Sequence, residues 1–128
     1  MIACVSGSIS NWKEKIRVRY PFEDYDQDKD IEKQVVFFGL YNSPDYERFY
    51  KHQGKKTVIW CGSDILQAGR EFREIQKEDA RHICENQLEQ AVLRLLLGGI
   101  EPEIKYIFYG NPENYPLSYK NSKIPNVF

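Results

Sequence analysis

The chain has 128 residues, of which 41% are hydrophobic and 29% are charged, and its formal net charge is -1 at pH 7. This length suits one domain with a single core and excludes two domains of ordinary size. The near balance of 18 basic and 19 acidic residues argues against a protein that binds duplex nucleic acid through a concentrated basic surface, while leaving room for a local basic patch.

Neither a membrane span nor a secretory signal is predicted. The longest apolar stretch, residues 91–100, is interrupted by Arg94 and two glycines and is too short to cross a bilayer. No basic region followed by a long apolar segment opens the chain. The three cysteines, Cys4, Cys61 and Cys84, include no Cys-x-x-Cys pair, so neither a metal site nor a disulfide is predicted and a cytoplasmic location fits best.

Apolar runs that end in small or polar residues predict five strands, at residues 2–5, 35–38, 57–61, 81–84 and 104–109. Such runs are typical of strands that are buried on both faces. Helical patterns lie between most of these strands, at residues 45–52, 66–76 and 86–98. The alternation predicts an α/β fold, a single Rossmann-like domain with a mostly parallel sheet of about five strands and helices on both faces.

Capping residues mark two of these helices. Ser43, followed by Pro44, is predicted to cap the helix after the second strand. Asn86 and Glu89 are three residues apart and predict a capping pair for the last helix. The apolar stripe predicted for that last helix comprises Leu88, Val92, Leu95 and Leu96.

The first crossover, residues 11–33, is the exception to this pattern. Residues 15–21 alternate in the manner of an exposed strand, and residues 22–30 are acidic and predict a loop. We therefore expect no regular helix between the first two strands.

Ligands of open α/β sheets bind beyond the carboxyl ends of the strands. The residues predicted at these ends are small or form hydrogen bonds, and the candidate ligand-binding set is Ser6, Gly7, Ser8, Gly39, Tyr41, Asn42, Gly62, Ser63, Glu85 and Asn86. Strand-to-helix turns also need residues of these types for tight turns and helix caps, so a purely structural role explains the same pattern.

Asp64 is the candidate catalytic residue. A carboxylate at a strand end can accept hydrogen bonds from a hydroxyl-rich substrate or act as a general base, and its structural alternative is helix capping. The turn at Ser6-Gly7-Ser8 lacks the further glycines of a dinucleotide fingerprint and no P-loop lysine follows it, so a dehydrogenase or an NTPase is disfavoured.

Several segments together resemble the N-terminal domain of GT-B glycosyltransferases, the two-Rossmann-domain enzymes that transfer a sugar from a nucleotide-sugar donor. They are residues 37–41, 52–56, 59–64, 83–86 and 107–110, and the most specific is Trp60-x-Gly-Ser-Asp. The likeness covers most of residues 35–128, and the end of the chain, residues 125–128, resembles the strand that crosses toward the donor domain.

The resemblance implies that this domain holds the acceptor, a glycan or a lipid-linked sugar, while the nucleotide-sugar binds to a second domain beyond residue 128. No cofactor is therefore expected on this chain, and no metal site. The Asp26-Gln27-Asp28 triplet matches the metal-binding pattern of other glycosyltransferases but lies in the predicted acidic loop. Without the donor domain the chain is not expected to be active alone, and uncovered apolar surface would favour homo-oligomers.

Two other functions stay open. A non-enzymatic interaction or ligand-sensing module would have a stable isolated fold and would bind protein through its tyrosines or a sheet edge. A small nucleotide-binding enzyme is less favoured because the phosphate motifs are missing.

Overall fold

The computed structural model describes residues 1–105, which form an α/β fold around one parallel sheet. The six strands are β1 (Ile2–Val5), β2 (Glu23–Asp24), β3 (Val35–Phe38), β4 (Lys56–Ile59), β5 (Ala80–Cys84) and β6 (Glu103–Ile104). The helices are a 3₁₀ helix (Gly7–Trp12), α1 (Lys13–Arg19), α2 (Gln27–Asp30), α3 (Ser43–Lys51), α4 (Ile65–Ala68), α5 (Phe72–Gln76) and α6 (Gln87–Leu96). The predicted fold class is confirmed, and residues 1–105 alone contain one strand more than the five expected.

The strand order is β2-β1-β3-β4-β5-β6, and every neighbouring pair is parallel. The chain leaves β1 for the edge of the sheet and then returns to the other side of β1. The carboxyl ends of β1 and β3 therefore form the switch point of a doubly wound sheet, beside which such folds bind ligands. Within residues 1–105 no helix is long and apolar enough to cross a membrane.

The core has two layers, one on each face of the sheet. The larger layer packs Phe37, Val58 and Trp60 against side chains of α3 to α6. The smaller layer packs Phe38 and other side chains of the opposite face against α1. Successive residues of a strand point to opposite faces, so adjacent residues such as Phe37 and Phe38 belong to different layers.

One of the two predicted caps is confirmed, and the Ser43 cap was wrong by one residue. Asn42, not Ser43, caps α3: its side chain accepts a hydrogen bond from the backbone N–H of Asp45, and the Asp45 carboxylate accepts one from the backbone N–H of Asn42. At α6 the predicted pair is confirmed, since Asn86 Oδ1 accepts the N–H of Glu89 at 2.8 Å.

The prediction for the first crossover was wrong. Residues 13–19 form α1 rather than a strand, and only one of its side chains, Ile16, is buried. One buried residue leaves no apolar stripe from which a helix could be recognised. The acidic loop contains the edge strand β2, whose backbone bonds to β1, and the short helix α2, which Asp26 caps.

Two further helices differ from their predictions. Residues 66–76 form two short helices, α4 and α5, because the chain leaves helical geometry around Glu71, where φ is -111°. In α6 only Leu93 is fully buried, followed by Leu97 just beyond the helix, while Leu88 and Leu95 of the predicted stripe are exposed. The predicted strand at residues 104–109 begins at Glu103, and its later residues and the predictions beyond residue 105 lie outside the described residues.

Candidate functional site

Two buried aspartates hold the loops at the carboxyl end of the sheet. The first is Asp45, in the first turn of α3. Its Oδ2 accepts hydrogen bonds from Ser6 Oγ at 2.5 Å and from the Tyr41 backbone N–H at 2.9 Å. Its Oδ1 accepts one from the Arg48 guanidinium at 2.9 Å. Asp45 therefore joins the ends of β1 and β3 at the switch point.

The second is Asp64, whose side chain is completely buried. Its Oδ1 accepts the backbone N–H groups of Cys61 and Gly62, each at 2.9 Å, and its Oδ2 accepts that of Leu40 at 3.2 Å. Burial raises the pKa of Asp64 to about 7, although the three N–H donors act to lower it. Asp64 thus ties the loop after β3 to the loop after β4.

The structure tests one of the two interpretations of Asp64 made from the sequence. Its side chain makes no capping hydrogen bond to α4, so the capping alternative was wrong. Its carboxylate lies beneath the surface rather than facing a ligand, and a catalytic role stays a prediction. What the contacts establish is a positioning role for the loops around it.

A cleft of about 620 Å³ opens beyond the carboxyl ends of β3, β4 and β5. One part of its lining is polar and consists of loop residues and the first turn of α6: Tyr41, Cys61, Gly62, Ser63, Glu85, Asn86 and Glu89. The other part is apolar and comes from the helices: Ile9, Trp12, Ile65, Leu66, Leu88 and Val92. A concave, mostly apolar site with a few converging polar groups is typical of a small-molecule binding site.

The hydroxyl groups of Tyr41 and Ser63 face each other at the polar part of the cleft. Ser63 Oγ lies 3.4 Å from Tyr41 Oη, at the outer limit of a hydrogen bond. Burial raises the pKa of Tyr41 to about 12, so the phenol stays protonated at neutral pH. Both hydroxyls can therefore donate to and accept from a ligand.

Glu89 brings a second acidic group to the cleft, beside Glu85. Its Oε1 accepts the backbone N–H of Glu85 at 2.9 Å, which fixes the carboxylate at the start of α6. Its other oxygen lies 3.7 Å from the position that a Cβ would take at Gly62, where φ is +120°. Burial raises the pKa of Glu89 above the ordinary range of a glutamate.

Half of the predicted ligand-binding residues line this cleft, namely Tyr41, Gly62, Ser63, Glu85 and Asn86. The other half, Ser6, Gly7, Ser8, Gly39 and Asn42, do not line it. They form the neighbouring turn network, in which Asn42 Nδ2 donates to Ser8 Oγ at 3.2 Å and Ser6 is bound to Asp45. Ser6 and Gly39 are buried, so in this structure they support the loops rather than face the cleft.

The sequence did not indicate the residues of the apolar rim or the second carboxylate. Trp12 lies in the segment where no helix was expected, and Leu88 was assigned to the core stripe of α6. Glu89 was interpreted only as a capping partner. Of these residues, only Glu89 could have been found from the sequence. It was predicted to complete the cap of a helix that begins at a strand end, and such a residue lies beside any ligand bound there.

A second groove, of about 720 Å³, lies at the opposite end of the sheet, around the amino ends of β4 and β5. Its lining includes four cationic residues: Lys55, Lys56, Lys77 and Arg81. Most of these charges are used within the fold. Lys56 Nζ donates to the Phe49 carbonyl at 2.6 Å and to Glu78 at 2.8 Å, and Arg81 pairs with Glu103.

In the part of the chain that the structure describes, no group of three or more His, Cys, Asp or Glu side chains is placed to hold a metal ion. Comparisons of this chain with protein-family models, with curated proteins and with solved structures find no match.

Proposed function

We propose that this domain is the acceptor-binding half of a GT-B type glycosyltransferase and that the carboxyl-end cleft holds the sugar acceptor. The observation that carries the proposal is the cleft itself. It combines hydroxyl, amide and carboxylate groups with an exposed indole ring beyond the ends of three parallel strands. A sugar presents hydroxyls at its edge and C–H groups on its faces, so it is complementary to such a mixed surface.

Three side chains are suited to the hydroxyls of a sugar. Tyr41 and Ser63 each offer a donor and an acceptor. The Oδ1 of Asn86 accepts the Glu89 N–H, so Asn86 offers its Nδ2 donors to a ligand. Asp64 acts indirectly in this proposal: it does not contact the sugar but holds the loops that carry Tyr41 and Ser63.

The nucleotide-sugar donor is assigned to a different domain, for a reason of charge. Among the described residues, those that line the cleft include Glu85 and Glu89 and no Lys, Arg or His. A diphosphate placed there would lose its hydration and meet two carboxylates, which is unfavourable. The proposal therefore predicts acceptor binding without nucleotide binding, and no catalysis by this chain alone.

A non-enzymatic interaction module is the second candidate, and one observation favours it. Leu66 and Leu88 are 81% and 51% exposed at the rim of the cleft, an arrangement that a partner protein could cover. The two candidates differ in whether free saccharides bind.

The test is a ligand-observed NMR titration of the purified chain with nucleotide-sugars and with a panel of mono- and oligosaccharide acceptors. We expect millimolar binding of at least one saccharide and none of the nucleotides. Tyr41→Phe removes one hydroxyl from the cleft and should weaken that binding about threefold to tenfold. Tyr50→Phe is the matched control, because Tyr50 lines the groove at the opposite end of the sheet.

Tight nucleotide binding would contradict the proposal and favour a nucleotide-binding protein. Silence for every saccharide would contradict it as well and leave the interaction module as the better account. Equal effects of the two tyrosine variants would show that the binding site is not the cleft.

A further inference from the structure

Three of the six large apolar side chains that are exposed among the described residues meet at the cleft. Trp12, Leu66 and Leu88 are 45%, 81% and 51% exposed, and all three line it. They come from three different elements, the 3₁₀ helix, α4 and α6, so their convergence is a property of the fold rather than of one helix face. Apolar surface gathered at a concave opening marks a binding site more often than scattered exposed residues do.

The floor of the same cleft is polar and acidic. Glu85 and Glu89 line it together with Tyr41 and Ser63, and none of the lining residues among residues 1–105 is cationic. At the rim, Lys15 Nζ lies 5.0 Å from the centroid of the Trp12 ring. A ligand that reaches the floor is therefore favoured if it is uncharged and disfavoured if it carries a carboxylate or a phosphate.

We propose that the ligand of this cleft is an uncharged glycoside with an apolar aglycone. The sugar ring lies on the polar floor, the aglycone lies along Trp12, Leu66 and Leu88, and Glu89 sets specificity by excluding anionic ligands. This inference rests on the proposed function and narrows its acceptor class: acceptors whose sugar is joined directly to a phosphate do not fit, whereas alkyl or aryl glycosides do.

Glu89 is suited to this specificity role because it cannot easily move away. One of its oxygens is bound to the Glu85 backbone and the other faces Gly62, so the charge stays at the floor. Glu89→Gln keeps the size of the side chain and an acceptor oxygen while removing the charge. The variant therefore separates electrostatic exclusion from shape.

The experiment compares four probes on the purified chain by isothermal titration or NMR: a free monosaccharide, its hexyl glycoside, the corresponding hexyl glycuronide and hexanol. Each buried methylene strengthens binding, so we expect the hexyl glycoside to bind at least about tenfold more tightly than the free sugar. We expect the glycuronide to bind more weakly than the neutral glycoside, and hexanol to bind more weakly still.

Two pairs of variants locate the effects. Leu88→Ser should remove most of the advantage of the hexyl group, while Leu95→Ser should not, because Leu95 is 85% exposed on the same helix and lies outside the cleft. Glu89→Gln should bring the glycuronide to within about twofold of the neutral glycoside. Glu47→Gln, which removes an exposed carboxylate of α3 away from the cleft, should change neither ligand.

The outcomes distinguish this inference from the proposed function. If saccharides bind but the hexyl group brings no gain, or if the glycuronide binds wild-type protein as well as the glycoside does, only the inference is overturned. If hexanol binds as well as the glycoside, the cleft is an apolar pocket and the inference fails. If sedimentation shows dimers that Leu88→Ser dissociates, the rim is covered by a second copy, which overturns it. If no saccharide binds in any form, the proposed function falls with it.

Discussion

The two ends of the parallel sheet carry depressions of similar size and opposite character. The cleft at the carboxyl end, about 620 Å³, is lined within residues 1–105 by two carboxylates, no cation and an exposed apolar rim. The groove at the amino end, about 720 Å³, has four cations and two carboxylates. In the larger depression, most of the cationic groups already form ion pairs with carboxylates or hydrogen bonds with the backbone.

The difference shows that volume is a poor guide to a site, and that the use of polar groups is a better one. At the amino end, Lys56 and Arg81 are bound to Glu78 and Glu103. At the carboxyl end, the buried aspartates carry the structural hydrogen bonds and leave Tyr41 and Ser63 near the surface. In parallel sheets this end is also where helices begin and ligands bind.

The largest effect is expected at the carboxyl end, from Asp64→Ala. The substitution leaves three backbone N–H groups, one buried and two partly buried, without their acceptor. At roughly 1 to 3 kcal/mol for each unsatisfied group, we expect the free energy of unfolding to fall by about 4 kcal/mol in urea titrations. Asp64→Asn, which keeps one acceptor oxygen, should lose less. A loss below about 1 kcal/mol for the alanine variant would show that Asp64 does not hold the loops.

The core between the two ends is tested by the pH dependence of stability at His82. Burial lowers the pKa of His82 from 6.5 to about 4, so between these values the unfolded chain binds more protons than the folded one. The His82 contribution to stability should therefore fall by up to about 3 kcal/mol as the pH drops from 6.5 to 4.

The measurement is urea unfolding of wild type and His82→Gln at pH 7 and pH 4.5. Glutamine retains an acceptor for Trp60 Nε1, which donates to His82 Nδ1 at 3.1 Å. Asp64 also makes stability depend on pH, but in the opposite direction: its pKa is raised in the folded state, so its contribution is lost as the pH rises through about 7. Because Asp64 is present in both proteins, its contribution cancels in the comparison. Equal pH slopes in the two proteins would contradict a buried neutral His82.

At the amino end, Gly54 is fixed by a close approach of two backbones. A Cβ at Gly54 would lie 2.2 Å from the Lys33 carbonyl oxygen, so one loop must move away. We expect Gly54→Ala to cost about 2 kcal/mol of unfolding free energy while leaving glycoside binding to the folded protein unchanged. Gly7→Ala is the control, because a Cβ there meets nothing within 4 Å. Loss of glycoside binding in folded Gly54→Ala would show that the ligand binds at the amino end of the sheet rather than in the carboxyl-end cleft.

At the carboxyl end, Gly62 is required by its backbone conformation, since φ is +120°. Gly62→Ala should cost about 1 kcal/mol through strain and should also weaken glycoside binding, because the added methyl group points toward Glu89. Ser63→Ala, the neighbouring control, should weaken binding without a measurable change in stability. Unchanged binding in both variants would contradict a site on this loop.

Much of the fold could be predicted because its signals are local. Strands β1 and β3 coincide with the predicted residues 2–5 and 35–38, since continuous apolar runs are typical of buried parallel strands. Strand β2 consists of only two residues, and both are exposed. It forms because the Glu23 N–H donates to the Met1 carbonyl and the Tyr25 N–H donates to the Ala3 carbonyl. Pairing of this kind depends on position and leaves no pattern in the sequence.

The site divides in the same way. The polar floor, including Tyr41, Ser63 and Asn86, could be predicted because the topology rule places the ends of parallel strands together. The apolar rim could not, because whether Leu88 or Leu93 of α6 is buried depends on how that helix rotates against the sheet. A shift of one position along the helix exchanges a core residue for a rim residue.

The most direct test of the central claim is chemical-shift mapping of the ¹⁵N-labelled chain with a neutral hexyl glycoside. The account predicts dose-dependent shifts of the Gly62, Ser63 and Asn86 backbone amides at the carboxyl end, and none for Gly54 or Lys55 at the amino end. Shifts confined to the amino-end groove, or none at saturating glycoside, would contradict it.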